Sequence, residues 1–132
     1  MVQGRGFAPR FVYSPKRRDI VMVDCSPSAG VEPANPHPAL VLSPHRYNVG
    51  GLALMCHITS TSRNTPFELF LRPEKRTKHG VDGYLQCDQV RCLDWKDRRA
   101  HRLGEVSEEV FSEVTSRLLV LINPGLGNAS ER

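Results

Sequence analysis

Short apolar runs alternate with polar, glycine and proline residues along most of the chain, a pattern typical of a sheet built from several short strands. The runs predict strands over residues 19–24, 39–43, 52–58, 67–71 and 84–93, followed by an edge strand over residues 100–106. Residues 52–58 are apolar almost throughout, so we expect this strand to be covered on both faces. Pro38 is limited to the start of the second strand, because proline has no N–H to donate to a sheet.

One longer stretch, residues 107–121, has the period of an amphipathic helix. Ser107 suits the N-cap position, and a single stripe collects Val110, Val114, Leu118 and Leu121. Asn-Pro-Gly at 123–125 ends the helix, while residues 44–48 are predicted as a turn. Because the strands come first and the helix last, we predict a mainly β fold, a small antiparallel barrel-like sheet with a C-terminal helix packed on it.

The size of the chain, 132 residues of which 39% are apolar, fits one domain with a modest core. No stretch is long and apolar enough to cross a membrane, and the N-terminus lacks the apolar core of a secretory signal, so we expect a cytoplasmic protein. Residues 1–16 are assigned to a flexible basic arm, 17–123 to the folded domain and 124–132 to a C-terminal tail. The net charge of +4 is compatible with a nucleic-acid partner without being diagnostic of one.

Cysteine and histidine spacings give no sign of a metal site, and no cofactor is expected. The four cysteines form no CxxC pair and lack the spacing of a zinc knuckle. We therefore expect reduced cysteines that are mostly buried as small apolar residues.

The connection between the first two predicted strands is too long for a simple hairpin turn and is rich in proline, glycine, serine and asparagine. Long ordered loops of this kind more often carry function than packing. Glu32 and His37 are the only strong candidates for proton transfer within it.

A series of short segments follows in a fixed order along the chain: Arg-Asp-Ile-Val (18–21), Pro-Ser-Ala-Gly-Val-Glu (27–32), Pro-Ala-Leu-Val-Leu-Ser-Pro (38–44), Tyr-Asn (47–48), Ile-Thr-Ser (58–60), Pro-Phe-Glu (66–68), Asp-Gln-Val-Arg (88–91) and Leu-Asp-Trp (93–95). In these segments the chain closely resembles the MazF/PemK family of bacterial toxin ribonucleases. The resemblance implies a homodimer that cleaves single-stranded RNA, usually messenger RNA at short sequences, without a metal. It also implies an acidic antitoxin peptide that lies across the active groove.

The family pattern places a glutamate in the long loop and an arginine just before the Pro-Ala strand. Glu32 matches the glutamate, whereas His37 stands in the place of the arginine. An imidazole lacks the permanent charge and the bidentate fork of arginine, but it exchanges a proton near neutral pH. Three interpretations stay open: His37 is a working acid or base, it is a weakened phosphate ligand, or the enzyme is impaired.

The resemblance also implies site residues after the third strand and on the fifth. Thr59 matches a threonine whose hydroxyl binds the scissile phosphate, although a turn-bonding hydroxyl explains it as well without the resemblance. RNA contacts are predicted for Ser60, Arg63, Asp88 and Arg91. Gln86 replaces an arginine that is catalytic in one PemK-like branch, so that branch's mechanism is not transferred.

Three further features have competing interpretations. His57, a lone histidine at a strand end, is read as structural, and Trp95 as half-buried core or as a surface for base stacking. The basic loop over residues 72–79 either guides the RNA backbone or is simply solvated. The predicted function is a toxin that acts as a sequence-specific endoribonuclease; the alternative is a catalytically impaired or non-enzymatic toxin of the same fold that binds RNA, antitoxin or gyrase.

Overall fold

The computed structural model describes residues 13–26 and 35–125, and within them six strands form one antiparallel sheet. The strands are β1 (Asp19–Asp24), β2 (Pro36–Val41), β3 (Leu52–Thr59), β4 (Glu68–Leu71), β5 (Gly83–Asp94) and β6 (His101–Glu105). Their order across the sheet is β4-β5-β3-β2-β1-β6, so β4 and β6 are the edge strands. The sheet curls into a half-barrel, and the predicted fold class is confirmed.

The second strand differs from its prediction, because it begins at Pro36 and ends at Val41. Pro36 and Pro38 pair with β1, whereas the pairing of β2 with β3 begins only at Ala39. Proline is tolerated where one side of a strand has no neighbour that needs its N–H. The first half of β2 therefore behaves as an edge, and two prolines fit inside it.

The longest strand, β5, is irregular beside the end of β3. Cys56 pairs with Val90, but Ile58 pairs with Leu85, so the two-residue step on β3 faces a five-residue step on β5. Such an insertion bends a strand and changes the direction of its side chains. At the start of β5 the chain presses so closely on β3 that a Cβ on Gly83 would lie 2.8 Å from the carbonyl oxygen of Thr59.

The predicted C-terminal helix is confirmed as α2 (Glu108–Ile122). The Ser107 hydroxyl caps it by accepting a hydrogen bond from the N–H of Val110 at 3.2 Å. Val114 is fully buried against the sheet, whereas the last turn of the helix is exposed, with Ile122 at 66%.

The expectation that the third strand is covered on both faces was wrong, because the end of α2 leaves part of β3 exposed. The helix side of β3 is covered at Cys56 and Ile58, but Leu52 and Leu54 are 44% and 37% exposed. Apolar composition alone does not distinguish a strand that is covered along both faces from one whose helix-side face is uncovered at one end.

The segment predicted as a turn after β2 forms a short helix, α1 (His45–Asn48). Asn48 is buried, and its side-chain amide donates to the carbonyls of Pro15 and Ser43, both at 2.9 Å. Its own carbonyl accepts the Trp95 indole N–H at 2.7 Å. Trp95 is only 4% exposed, so the core interpretation holds and the base-stacking alternative was wrong.

The sheet is apolar on both faces, and only one of these faces meets α2. The helix-side cluster includes Ile20, Leu40, Ile58, Leu85 and Val114. The opposite cluster consists of Val21, Val23, Ala39, Val41, Ala53, Met55, Leu93 and Trp95. Alternate residues of the same strands thus enter different cores, as the pleat of a strand requires.

Several predictions concern the cysteines and the chain ends. All four cysteines are free, but only Cys56 and Cys87 are buried, so the expectation that most are buried was wrong. Of the predicted basic arm, residues 1–12 lie outside the described residues, while the Tyr13 hydroxyl donates to Asp19. No helix in the described part of the chain is long and apolar enough to span a membrane.

Candidate active site

The face of the sheet opposite α2 changes from apolar to polar along two neighbouring strands. On β3 the side chains of this face run Ala53, Met55, His57, Thr59, and on β2 they run Val41, Ala39, His37. Because β2 and β3 are antiparallel and Ala39 pairs with His57, the polar ends of both strands lie at the same end of the sheet. The fold therefore brings His37 near His57, and Thr59 lies two residues further along β3 at the same end of the sheet.

His37 is half-buried in β2, and the backbone beside it orients its ring. Its Nδ1 lies 3.2 Å from the carbonyl oxygen of Asn35, which only accepts, so Nδ1 carries the proton. The other ring nitrogen, Nε2, is thereby left to take up or release a proton, the arrangement that a catalytic imidazole needs.

A clamp around Asp24 fixes the base of the long loop. One carboxylate oxygen of Asp24 accepts the N–H groups of Ser26 and Asn35, both at 3.0 Å, and the Ser26 hydroxyl at 2.7 Å. The Arg98 guanidinium donates hydrogen bonds to the backbone carbonyls of Asp24 and Ser26 at 3.0 and 2.8 Å. These bonds join the residues on either side of 27–34, which carry Glu32 and lie outside the described residues.

The hydrogen bonds of this clamp also fix the charge of Asp24. The backbone N–H of Asn35, followed by the N–H and hydroxyl of Ser26, lowers the pKa of the carboxyl to about 2. Asp24 is therefore ionised throughout the physiological range, and the loop base is held by charge-assisted hydrogen bonds.

His57 lies among several charged groups at the polar end of the sheet. Burial lowers its pKa first, and the positive charges of His37, Arg91 and Arg63 lower it further. Asp88 acts in the opposite direction. A second histidine next to His37 is a feature that the sequence interpretation missed, because a lone histidine at a strand end carries no motif.

The loop that follows Thr59 is organised by Glu68, which the sequence analysis did not single out as a site residue. The Glu68 carboxylate accepts from the Ser62 hydroxyl and from the N–H groups of Arg63 and Asn64, the latter two at 2.9 and 3.3 Å. Gln86 donates to the same carboxylate at 3.1 Å. The Ser62 hydroxyl is the main cause that lowers the pKa of Glu68 to about 2.

Arg63 and Asp88, both predicted to contact RNA, bond to each other. Their charged atoms are 2.6 Å apart, and the Arg63 Nε also donates to the side-chain oxygen of Gln86. Gln86 is fully buried and links this pair to Glu68. Gln86, at the position where the resemblance implies an arginine in one PemK-like branch, thus holds the loop after Thr59 to the sheet here.

The other predicted site residues have distinct environments. The Thr59 hydroxyl oxygen accepts the N–H of Thr61 at 3.3 Å, so the turn-bonding interpretation describes one of its contacts. Ser60 is exposed in the loop, and Arg91 is exposed and makes no ion pair with any described residue. Among residues 13–26 and 35–125, no group of three His, Cys, Asp or Glu side chains is placed to hold a metal ion.

The chain is thus a compact β protein, with one curled antiparallel sheet, a C-terminal helix on one face of it and a polar cluster at one end of the other face. A family model described as a PemK-like, MazF-like toxin of type II toxin-antitoxin systems matches residues 16–122. The chain belongs to this family, as the sequence resemblance predicted.

Relatives and solved structures agree with that assignment. The endoribonuclease toxin MazF of Escherichia coli K12 is 36% identical over 111 residues, which cover 83% of this chain and 96% of the relative. The endoribonuclease toxin ChpB of the same strain is 33% identical over 108 residues, or 81% of this chain and 93% of the relative. The predicted class, an endoribonuclease toxin, is therefore confirmed.

The fold of the chain also matches solved structures of this family. The crystal structure of MazF (Form-I) from Deinococcus radiodurans matches with a TM-score of 0.71 at 40% identity, covering 84% of this chain and 98% of that one. A MazE-MazF structure (Form-II) from the same organism matches with a TM-score of 0.70 at 35% identity, over 85% of this chain and 98% of that chain.

Proposed function

We propose that this toxin is a sequence-specific, metal-independent endoribonuclease that cleaves single-stranded messenger RNA in the cytoplasm. The observation that carries the proposal is the position of His37 and Thr59 at the same polar end of one sheet face. Asp24 also holds Ser26 and Asn35, the described residues on either side of the segment that carries Glu32. Relatives named endoribonucleases support the reaction type.

The proposed reaction needs a base for the ribose 2′-hydroxyl, a donor for the charged phosphorane and an acid for the leaving 5′-oxygen. Glu32 is assigned as the base that takes the 2′-proton. The 2′-oxygen then attacks the adjacent phosphorus, and the bond to the 5′-oxygen breaks as the imidazolium form of His37, protonated at both ring nitrogens, donates its Nε2 proton to that oxygen. Because the nucleophile is attached to the neighbouring phosphate, proximity supplies much of the rate enhancement.

Two further groups complete the proposed site. The Thr59 hydroxyl binds a phosphate oxygen, and the Arg91 guanidinium, which no described acidic side chain neutralises, stabilises the developing negative charge. The Nδ1 contact to the Asn35 carbonyl is compatible with the acid assignment for His37, because it is kept both when Nε2 carries a proton and after Nε2 has released it. Ser60, Arg63 and Asp88 are proposed to contact the RNA on either side.

Mapping of the cut ends tests this reaction. The purified protein is incubated with a long RNA in EDTA, and we expect cleavage that leaves a 2′,3′-cyclic phosphate and a 5′-hydroxyl. Activity that is lost in EDTA and restored by magnesium, or 5′-phosphate ends, would contradict the mechanism.

We also propose that an acidic, partly disordered antitoxin peptide inhibits the enzyme by crossing the loop after β1 and the groove beside Thr59. A solved MazE-MazF complex of similar fold supports such a partner. The product of a neighbouring short reading frame should co-purify with the toxin and block cleavage at a stoichiometric ratio. Full RNA cleavage in the presence of that product would argue against it.

The proposed active form is a homodimer, whose interface includes an apolar groove of about 620 Å³. Its lining includes Leu42, Leu54, Val90, Leu118, Leu119 and Ile122. A second copy is the occupant that the family implies, and burial of these exposed side chains would favour association.

Sedimentation analysis tests the homodimer. Ile122→Asp should give monomers, because a carboxylate would be buried in the groove, whereas Val49→Asp, at a site 54% exposed outside the groove lining, should leave the dimer intact. A wild-type monomer at all accessible concentrations would refute the proposal.

A further inference from the structure

An aromatic pair lies in the same cross-strand row as Thr59. Thr59 of β3 pairs with Tyr84 of β5, and Tyr84 pairs with Phe70 of β4. Directly paired residues point to the same face of a sheet. Since neighbouring strands are about 4.8 Å apart, Tyr84 and Phe70 follow Thr59 at one and two strand spacings.

Phe70 is open to solvent, Tyr84 is half-buried, and a positive charge lies next to the pair. The ring centroids of Phe70 and Tyr84 are 5.0 Å apart and their planes are inclined by 52°. Phe70 is 42% exposed although it is a large apolar side chain, and the Arg72 guanidinium carbon lies 5.1 Å from its ring centroid. An exposed ring next to a guanidinium is a usual component of a surface on which nucleobases stack.

The neighbouring residues along the three strands, which point to the opposite face of the sheet, show why these rings are available. Ile58, Leu85, Leu69 and Leu71 alternate with the row and point into or against the helix-side core. Core packing therefore accounts for those side chains and does not use Phe70 or Tyr84.

We propose that Phe70, Tyr84 and Arg72 form a stacking subsite for a nucleobase of single-stranded RNA, next to the phosphate held at Thr59. The subsite rests on the proposed ribonuclease function and extends it, because the subsite determines where the RNA lies beyond the scissile bond. A ring surface accepts every base, so its contribution is to affinity and position more than to base identity.

Binding measurements on a non-cleavable RNA test the subsite. After the cut site has been mapped, an oligoribonucleotide spanning it is made with a 2′-O-methyl group at the attacking ribose, and its affinity is measured by fluorescence anisotropy. Phe70→Leu and Tyr84→Leu keep an apolar side chain but remove the ring. We expect each to weaken binding about 5- to 100-fold, the range found for loss of a stacked base.

Abasic oligonucleotides locate the stacked base. One abasic position flanking the cut should weaken wild-type binding by a similar factor. The same abasic position should have little further effect on the binding of Tyr84→Leu, because loss of the base and loss of the ring remove the same contact. Tyr47→Leu is the matched control, since Tyr47 is a 46% exposed tyrosine in α1, outside this row, and it should bind like the wild type.

The outcomes separate this inference from the proposed function. Wild-type affinity in both leucine variants, with RNA still cleaved, overturns the subsite alone. The same holds if the variants weaken only the antitoxin peptide, which would make the pair a protein contact. A wild-type protein that neither cleaves nor binds RNA overturns both proposals.

Discussion

The two faces of the sheet differ in what the same strands place on them. The helix-side face is apolar along its length beneath α2, with Ile58 and Leu85 paired directly and almost completely buried. The opposite face is apolar at Ala39 and Met55 and becomes polar at His37, His57 and Thr59, within two to four residues along each strand.

This difference shows how a small domain holds reactive groups rigidly. Packing on the helix side fixes the backbone of β3 and β5, and the residues between the core positions then have defined places on the other face. Stability and chemistry are thus carried by alternate residues of the same strands, and substitutions on the two faces should have separable effects.

The largest expected effect is a loss of stability from the helix-side face. Leu85→Ala removes a fully buried side chain and leaves a cavity, at a cost of about 2–5 kcal/mol in the free energy of unfolding. Denaturant unfolding measures this cost, with the exposed Val49→Ala as the control that should change little. A small effect at Leu85 would mean that the helix side does not carry the fold.

On the polar face the expected effect is on activity. His37→Ala should reduce the cleavage rate about a hundredfold or more, because a positioned acid is lost, while the unfolding midpoint changes little. His45→Ala, at an exposed histidine of α1, serves as the control.

His37→Arg distinguishes the two roles of an active His37. The arginine should lower the rate if His37 transfers a proton, and raise it if the imidazole is merely a weak phosphate ligand. Unchanged rates in both His37 variants would exclude the residue from the reaction.

An effect of pH is expected at Glu68, which joins the loop to the sheet. Its folded pKa of about 2 lies below the ordinary 4.5, so its stabilising contribution is complete above about pH 4.5 and is lost as the pH falls towards 2. The free energies of unfolding of wild type and Glu68→Gln, measured as a function of pH, should therefore converge in acid. Glu109→Gln, at an exposed helix position, serves as the control, and its free energy of unfolding should depend on pH as that of the wild type does.

The smallest expected effect is a change in the titration of His57. Because burial and the neighbouring charges lower its pKa, its neutral form stabilises the fold above about pH 6.5, and this contribution is lost as the pH falls below that value. In an NMR titration, His37→Asn should raise the pKa of His57, since one positive neighbour is removed. An unchanged His57 pKa would show that the two rings do not interact.

Much of the fold was readable from local patterns. Ser107 and the stripe through Val114 predicted α2 closely, and the β-branched run of β1 predicted that strand with its observed bounds. The start of β2 was misplaced, because the rule against proline in strands depends on whether a neighbour lies on the N–H side, and that is a tertiary property.

The candidate site was readable only in part. His37 and Thr59 were predicted as site residues from their positions in family motifs, while Glu68 was noticed as part of Pro-Phe-Glu without a role. The roles of Glu68 and Gln86 depend on donors that come from a loop and from a neighbouring strand. No local pattern in the sequence reveals such contacts.

The sequence by itself determined the class of fold, the family and the presence of a histidine where the family has arginine, because these depend on residue types and their spacing. The tertiary structure decided which of those residues meet. Antiparallel pairing of β2 with β3 places His37 near His57 and at the same end of the sheet as Thr59, and pairing across β5 places Tyr84 and Phe70 in one row with Thr59. Strand register sets these neighbours, and a shift of one residue would turn every one of them to the opposite face.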